Sequence, residues 1–316
     1  MPYKYLHQIE SGYELLCPIF LDLIHDGLDN RVFVVTDAKN NKFVLRESKR
    51  SGKNASFEVD VLSALEKFCF SSPHIIKTKK DKYLLRIDNR EIILFEYIQG
   101  SQIEKLESIH LKSDVIEQGV RKLGELHLLT NGMNVNAILT RTIFTECDRL
   151  LKLDVNLLKQ FKNSDILINQ VKHFYKEAQS RIGNKQELFG VIHNDFRIQN
   201  LIFSDKDCFV IDFDWACYGP LLKDVGLAVA EWSLYNKSKG PSKEAIERFI
   251  KAYNETAPKA VQYDKDLIFW ICFACLSDAC TFLADVIEGK YPEKNIIDVE
   301  QCYMYKKFAY FYQELK

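Results

Sequence analysis

Hydrophobic and polar positions alternate along much of the first hundred residues, which is the pattern of half-buried strands. Short polar turns separate these runs, so they predict one antiparallel sheet. The predicted strands lie at 31–36, 42–47, 82–87 and 91–97, with a further short one near 74–78. Residues 54–68 carry apolar side chains at helical spacing and predict one helix, with Asn54 as its N-cap. Residues 3–25 are expected to form one or two short helices before the sheet.

Beyond residue 100 the apolar positions recur at the three- and four-residue spacing of helices. Helices are predicted at 114–130, 243–253, 264–288 and 296–315, with two more between 136 and 182. Short apolar runs at 191–192 and 208–211 are typical of buried strands, and residues 204–207 predict a hairpin turn before the second of them. Residues 215–220 are expected to form a loop. The pattern predicts an α+β chain that changes character at Gly100.

Composition is that of an ordinary globular protein, with 47% hydrophobic and 28% charged residues in 316. The net charge of −1 indicates neither a nucleic-acid partner nor an anionic membrane partner. Nine cysteines form no zinc or disulfide framework, and the pair Cys272 and Cys275 lies in an apolar helical run, where core packing is expected. The longest apolar stretch, 267–276, is short for a membrane span, and no signal-like run opens the chain. A cytoplasmic location is therefore expected.

Candidate chemistry is concentrated in residues 193–200, which read H-x-D-x-R-x-x-N, and in an Asp twelve residues after that Asn. Phosphoryl transfer mainly requires a positioned nucleophile and neutralised charge. Asp195 is expected to face the attacking hydroxyl, while Arg197 balances charge on the γ-phosphate. Oxygen atoms of Asn200 and Asp212 suit Mg²⁺, which prefers such ligands. The spacing therefore predicts a phosphoryl-transfer site.

This stretch resembles the signature of the aminoglycoside phosphotransferase and choline kinase superfamily. The family pattern is H-G-D-x-x-x-x-N, then I-D-F/W, G-P and D-L-A. The matching residues here are His193 to Asn200, Ile211-Asp212-Phe213, Gly219-Pro220 and Asp224-Val225-Gly226. Asn194 replaces the usual Gly and Gly226 the usual Ala, but neither position supplies a ligand. The agreement of all these elements, in the right order, makes the resemblance specific between about 190 and 226.

The resemblance implies a two-lobed protein-kinase-like fold of the α+β class. Residues 1–100 would form an N-terminal nucleotide-binding lobe, and residues 101–316 a mostly helical lobe for catalysis and substrate binding. The implied reaction transfers the γ-phosphate of ATP or GTP, with Mg²⁺, to a hydroxyl of a small molecule. An aminoglycoside-like antibiotic or an amino alcohol or sugar metabolite is the expected acceptor.

Further residues are assigned to the nucleotide through the same resemblance. The turn from Gly27 to Asn30 resembles the family element G-L-S-N-R-V and could fold over the phosphates, although a plain connecting turn is the alternative. Arg46 occupies the position of the family Lys that contacts the α- and β-phosphates. Glu58, on the predicted helix, could pair with Arg46 and hold it there, or be a surface charge.

The adenine and acceptor contacts are expected elsewhere. Backbone groups of Glu96 and Ile98, before Gly100, match the family hinge and would bind the adenine edge. Asp214 and Glu231 could take an amine of the acceptor. Asp224 is expected to hydrogen-bond the backbone of the catalytic loop, and His127 reads as a packed core histidine.

Two other functional classes stay open at this level. An atypical protein kinase would need a substrate groove, for which the short segment between Asp212 and Asp224 leaves little room. A catalytically silent kinase-like binding or coat protein would be expected to have lost Asp195, Asn200 or Asp212, and all three are present. The expected partners are therefore a nucleotide and a small-molecule acceptor, without nucleic acid or membrane. The sequence does not fix the oligomeric state.

Overall fold

A computed structural model describes residues 4–316 of the chain apart from 28, 50–54, 104–112, 135–140, 184–186, 206, 233–240 and 292–297, and without the side chains of 113 and 155. The predicted N-cap Asn54 is outside the described residues. Two units are formed, and the first contains the described residues up to Ser101 together with Ile202–Asp214. The second contains those of Gln102–Asn134, Arg141–Leu201 and Trp215–Lys316. The assignment of nucleotide binding and catalysis to residues 1–100 and 101–316 stays a prediction.

The strands of the described chain are β1 Phe20–Asp26, β2 Asn30–Thr36, β3 Lys42–Ser48, β4 Ile75–Ile76, β5 Leu85–Ile87, β6 Arg90–Glu96, β7 Ser101–Gln102, β8 Phe189–Ile192, β9 Leu201–Phe203, β10 Cys208–Val210 and β11 Cys217–Pro220. The helices are α1 Leu6–Gly12, α2 Ser56–Lys67, α3 Ser113–Thr130, α4 Thr145–Leu151, α5 Val155–Leu158, α6 Ser164–Gly183, α7 Leu221–Trp232, α8 Lys243–Asn254, α9 Lys265–Ile287 and α10 Tyr303–Leu315.

The first unit is built on a six-stranded antiparallel sheet in the order β1-β2-β3-β6-β4, with β5 also paired to β6. Side chains alternate across a strand, so neighbouring residues of β3 face opposite sides. Leu45 points into the apolar cluster that contains Ile9 and Tyr13 from the N-terminal segment. Arg46 therefore points to the other face, where it meets Glu58 of α2.

Of the one or two short helices expected in residues 3–25, the described residues form α1, and strand β1 begins within the same range, at Phe20. Almost all of its side chains are exposed, so the strand has no alternating apolar face to reveal it. Backbone pairing with β2, from Phe20 opposite Thr36 to Asp26 opposite Arg31, holds it instead. The sheet thus gains a strand beyond the five that alternation predicts.

The second unit is organised around α9, whose side chains are buried along nearly its whole length. Helices α4, α6, α7 and α10 pack against it. Among the described helices, α9 is long and apolar enough to cross a membrane, but most of its hydrophobic stretch is buried inside the protein. Such burial is typical of a core helix. The described residues between 141 and 182 contain α4, α5 and α6, one more helix than the two predicted for 136–182.

Strand β11 corrects the expected loop at 215–220. It pairs antiparallel with β8, from Cys217 opposite Ile192 to Pro220 opposite Phe189. The sequence Gly-Pro is typical of a turn, yet proline is tolerated where a ladder ends. The predicted hairpin at 204–207 is present, since β9 and β10 are neighbours and the Ser204 amide donates to the Asp207 carbonyl at 2.9 Å.

Candidate active site

The loop after β8 is fixed by the buried carboxylate of Asp224, in the first turn of α7. Its two oxygens accept the backbone N–H groups of His193 at 2.8 Å and Asn194 at 2.9 Å. This confirms the role predicted for Asp224. His127 is fully buried, with Nε2 3.2 Å from Asp224 Oδ2 and Nδ1 2.8 Å from the Tyr253 hydroxyl, so it packs in the core as predicted.

The charge of Asp224 is maintained although it is buried. Burial by itself would raise the pKa of this carboxyl, but the hydrogen bond and charge of His127, together with His193 and Lys223, lower the pKa below its ordinary value. Asp224 is therefore ionised at neutral pH, and charge-assisted hydrogen bonds to backbone N–H groups are the strong kind. The start of the catalytic loop is held firmly as a result.

The two departures from the family pattern have structural reasons. Asn194 has φ +65°, a left-handed conformation that Gly adopts freely and Asn tolerates better than most residues. Its side chain also donates to the Trp215 carbonyl at 3.1 Å and accepts from Lys223. At Gly226, an added Cβ would lie 2.7 Å from the backbone of α9, so only Gly allows the two helices to approach this closely.

Asp195, Arg197 and Asn200 form one hydrogen-bonded group. Arg197 Nε donates to Asp195 Oδ1 at 2.5 Å, and Asn200 Nδ2 donates to Asp195 Oδ2 at 3.1 Å and to the Asp195 carbonyl at 2.8 Å. Both carboxylate oxygens are thus held in place. Because the amide nitrogen of Asn200 is used in this way, its oxygen Oδ1 is turned away from Asp195, as a metal ligand requires.

A second carboxylate meets Arg197 from α9. Arg197 Nη2 donates to Asp278 Oδ1 at 2.7 Å, a contact that the sequence analysis did not predict. The one available signal is that Asp278 is the only charged residue between Asp266 and Asp285. Burial raises the pKa of Asp278, Arg197 lowers it, and the carboxylates of Glu231 and Asp195 raise it, so that it lies above its ordinary value.

Glu231 forms an ion pair within the second unit. Its carboxylate accepts from Lys307 at 2.6 Å, and the Lys307 side chain is almost fully buried. Burial raises the pKa of Glu231, but Lys307 and Arg197 more than offset this and lower it. Its predicted contact with the acceptor stays a prediction, and the pairing with Lys307 gives it a structural role.

In the first unit the nucleotide candidates also cluster. Arg46 pairs with Glu58 as predicted, and its Nη1 lies 3.5 Å from Asp212 Oδ1. Asn30 Nδ2 donates to Asp214 Oδ2 at 2.9 Å, and Asp214 also acts electrostatically on Arg46. Asp214, expected at the acceptor, therefore lies beside residues assigned to the nucleotide. Asp212 has φ +67°, a left-handed conformation that Asp, like Asn, tolerates better than most residues.

The remaining candidates lie at strand ends of the same sheet. Gly27 and Asn30 flank the turn between β1 and β2, and the Gly27 amide already donates to the Asn30 carbonyl at 3.0 Å. The Glu96 amide donates to the His74 carbonyl at 2.9 Å, so the adenine prediction for this residue reduces to its carbonyl group. Ile98 follows two residues after β6 and is half-buried.

Comparisons with known proteins agree with this geometry. The family model "Phosphotransferase enzyme family" matches residues 21–262. A homoserine kinase of Methylobacillus flagellatus is 24% identical over 261 residues, which cover 81% of this chain and 76% of that protein.

Two solved structures show the same fold. An amicoumacin kinase in complex with AMP-PNP, Ca²⁺ and Ami has a TM-score of 0.71 at 14% identity, covering 99% of this chain and 93% of that one. A microcompartment-associated aminopropanol kinase has a TM-score of 0.68 at 17% identity, covering 98% and 94%. The fold is therefore the α+β, protein-kinase-like fold that the motif implied. The chain belongs to the phosphotransferase enzyme family and is a small-molecule kinase.

Proposed function

We propose that the protein transfers the γ-phosphate of ATP or GTP to a hydroxyl group of a small amino alcohol or amino sugar, with Mg²⁺. The observation that carries this proposal is the hydrogen-bonded group of Asp195, Arg197 and Asn200, which fixes both carboxylate oxygens of the candidate base. Little covalent chemistry is needed for phosphoryl transfer, so a positioned carboxylate beside a cation is the main contribution of the protein.

Asp195 orients the acceptor hydroxyl and accepts its proton as the new oxygen–phosphorus bond forms, while the bond from the γ-phosphorus to the bridging β-phosphate oxygen breaks and the nucleoside diphosphate leaves. Arg197 lies against Asp195 and directs its remaining N–H groups toward oxygens of the transferred phosphoryl, where negative charge develops. Arg46, held by Glu58, binds oxygens of the other phosphates through its planar guanidinium. Backbone groups of Glu96 and Ile98 bind the adenine or guanine edge.

Each of the two residues proposed as metal ligands is, by its chemistry, suited to a hard divalent cation. Asn200 offers an amide oxygen because its nitrogen is already bonded to Asp195, and Asp212 offers a carboxylate whose side chain is 41% exposed. Oxygen ligands of this kind suit Mg²⁺, which keeps several waters and needs few protein ligands. When bound, the ion neutralises phosphate charge. The use of AMP-PNP and Ca²⁺ in the amicoumacin kinase structure supports a nucleotide with a divalent cation.

Two observations favour an acceptor that carries an amino group. Homoserine and aminopropanol, named for a relative and for a structural neighbour, both combine a hydroxyl with an amine. Around Arg197 the described residues also place three carboxylates, those of Asp195, Asp278 and Glu231, against the two cations Arg197 and Lys307. Asp278 and Glu231 each contact one of these cations, so the attraction for an ammonium group is assigned to Asp195, the carboxylate that the acceptor hydroxyl approaches.

The test is a turnover assay with purified protein, Mg²⁺ and either ATP or GTP. Each reaction contains one acceptor from a panel of homoserine, aminopropanol, ethanolamine, choline and aminoglycosides. Release of nucleoside diphosphate is followed by a coupled assay, and the phosphate monoester is identified by ³¹P NMR. We expect at least one amine-bearing acceptor to be phosphorylated, and Asp195→Ala to lower kcat by about 100-fold to 10,000-fold.

Asp285→Asn is the matched control, since this carboxylate lies on α9 in a separate ion-pair cluster. Its kcat should stay within about twofold of wild type, because it takes no part in the proposed chemistry. Binding of Mg²⁺-nucleotide without turnover, in wild type and Asp195→Ala alike, would instead identify a silent kinase-like binding protein.

A further inference from the structure

The contact between Arg197 and Asp278 joins two very different parts of the second unit. Arg197 belongs to the irregular catalytic loop after β8, whereas Asp278 lies in the middle of α9. Helix α9 is buried on nearly all sides and is packed by several other helices. Its backbone is therefore expected to be rigid, and the contact with Asp278 connects Arg197 of the loop to this rigid helix.

Asp278 has a cost that packing does not explain. Its side chain is 27% exposed, and burial of the rest raises the pKa of its carboxyl above the ordinary value. Carboxylates in such places are normally kept only when they are paired. Asp278 contacts Arg197, and Arg197 is shared with the candidate base Asp195. The only cation that Asp278 contacts among the described residues is therefore one of the proposed site, which points to a task directed at Arg197.

The two nitrogen atoms that Arg197 uses for these contacts indicate what Asp278 does. Nε of Arg197 is used for Asp195 and Nη2 for Asp278, so the planar guanidinium is held at two points and cannot rotate about its own axis. With one of these contacts removed, the guanidinium could turn and pair with Asp195 through both of its edges. The cation would then be drawn away from the phosphoryl group and toward the base.

We infer that Asp278 is a positioning residue, which acts through Arg197 to hold its guanidinium between Asp195 and the transferred phosphoryl. This inference rests on the proposed function of Asp195 and Arg197. It assigns no direct contact with substrate to Asp278, and it therefore predicts an effect on kcat and not on the affinity for either substrate.

The first experiment is steady-state kinetics of Asp278→Asn, Asp278→Glu and the control Asp285→Asn. Asn keeps an oxygen acceptor of the same shape but removes the charge, so we expect kcat to fall by about 10-fold to 100-fold, with both KM values within about twofold. Asp278→Glu keeps the carboxylate and should recover part of the loss. A rise of the acceptor KM alone would show that Asp278 binds the acceptor directly, and would overturn the inference.

A double-mutant cycle with Arg197→Lys tests whether Asp278 acts through Arg197. Lys cannot hold two carboxylates with a planar fork, so Asp278→Asn should have less than about a twofold effect on kcat in that background. If the two effects multiply, Asp278 acts by another route and the inference is wrong.

NMR of the arginine side chains separates this inference from the proposed function. The Nη2–H signals of Arg197, which donate to Asp278 and are identified by their loss in Arg197→Lys, should exchange slowly with solvent in wild type and at least about fivefold faster in Asp278→Asn. Unchanged exchange would show that Asp278 does not position Arg197. This measurement needs no turnover, so it decides the inference even if none of the acceptors is phosphorylated and the proposed function fails.

Discussion

Two carboxylates on the same helix differ in their exposure to solvent and in the charged residues that they contact. Asp278 and Asp285 are seven residues apart on α9, two helical turns along one side. The Asp285 side chain is 8% exposed and contacts two cations, Arg149 at 2.5 Å and Lys290 at 2.6 Å. The Asp278 side chain is 27% exposed and shares Arg197 with Asp195.

Charge balance separates the two settings further. The Asp285 cluster also contains Glu146, Glu288 and Arg141, so three carboxylates meet three cations. The positive and negative charges of this closed cluster balance, so no net charge remains to attract a ligand. The group around Asp278 has one negative charge in excess among the described residues. We therefore expect the charge-balanced cluster around Asp285 to stabilise the fold, and the group around Asp278, with its excess negative charge, to take part in the proposed reaction.

The largest effect is expected from breaking the closed cluster. Arg149→Ala removes the cation that joins Glu146, Asp285 and Glu288, and leaves these three carboxylates with two cations, so that one partly buried negative charge is uncompensated. The free energy of unfolding should fall by about 4 kcal/mol, measured by urea denaturation. The kcat of the protein that remains folded should be unchanged within about twofold. A tenfold loss of kcat in folded protein would show that this cluster is not purely structural.

A smaller effect, on kcat and not on stability, is expected in the group of charges around Arg197 and Asp278. Arg197→Lys keeps a positive charge between Asp195 and Asp278, so the melting temperature should change little. The guanidinium fork is lost, and kcat should fall by about 100-fold, which is about 2.7 kcal/mol in the activation free energy. Steady-state kinetics and thermal denaturation of the same sample measure both quantities. Equal kcat values for variant and wild type would remove the functional side of the comparison.

The smallest effect concerns Asp224, which is buried like Asp285 but supports the catalytic loop. Asp224→Asn places an NH₂ group against one backbone N–H, and should cost about 2 kcal/mol of unfolding free energy at pH 7. Because the pKa of Asp224 is lowered in the folded protein, its stabilisation is present above the unfolded pKa of about 3.9 and is lost as pH falls through the folded value.

Urea unfolding of wild type and Asp224→Asn at several pH values measures this dependence. The advantage of wild type should stay constant from neutral pH down to about pH 4 and shrink only below it. Loss of the advantage already between pH 7 and pH 5 would contradict the depressed pKa. Some loss of kcat should accompany the change, since Asp224 holds the backbone that precedes Asp195.

Several structural features were visible in the sequence because their causes are local. Alternation predicted β2, β3 and β6, whose buried residues face one core, and helical spacing predicted α2, α3 and α9. The spacing H-x-D-x-R-x-x-N placed the residues of the catalytic loop, which lie within eight positions of one another. The pairing of Arg46 with Glu58 followed from the resemblance.

Other features have no local signal. Strand β1 is exposed on both faces and is held by backbone pairing to β2, so its side chains carry no pattern. Strand β11 contains Gly-Pro, which is typical of a turn, and its pairing with β8 fixes it instead. The need for Gly at 226 depends on how closely α7 approaches the backbone of α9.

The sequence by itself determined the family and the reaction type, and it predicted which residues of the loop after β8 lie together, because side chains a few positions apart meet whatever the rest of the chain does. Only the tertiary structure decided which distant charges complete the site. Asp278 is 81 positions from Arg197, and Asp285 is 136 positions from Arg149. Two aspartates on one helix thus differ in charge balance because the packing of the chain brings different charged residues to each of them.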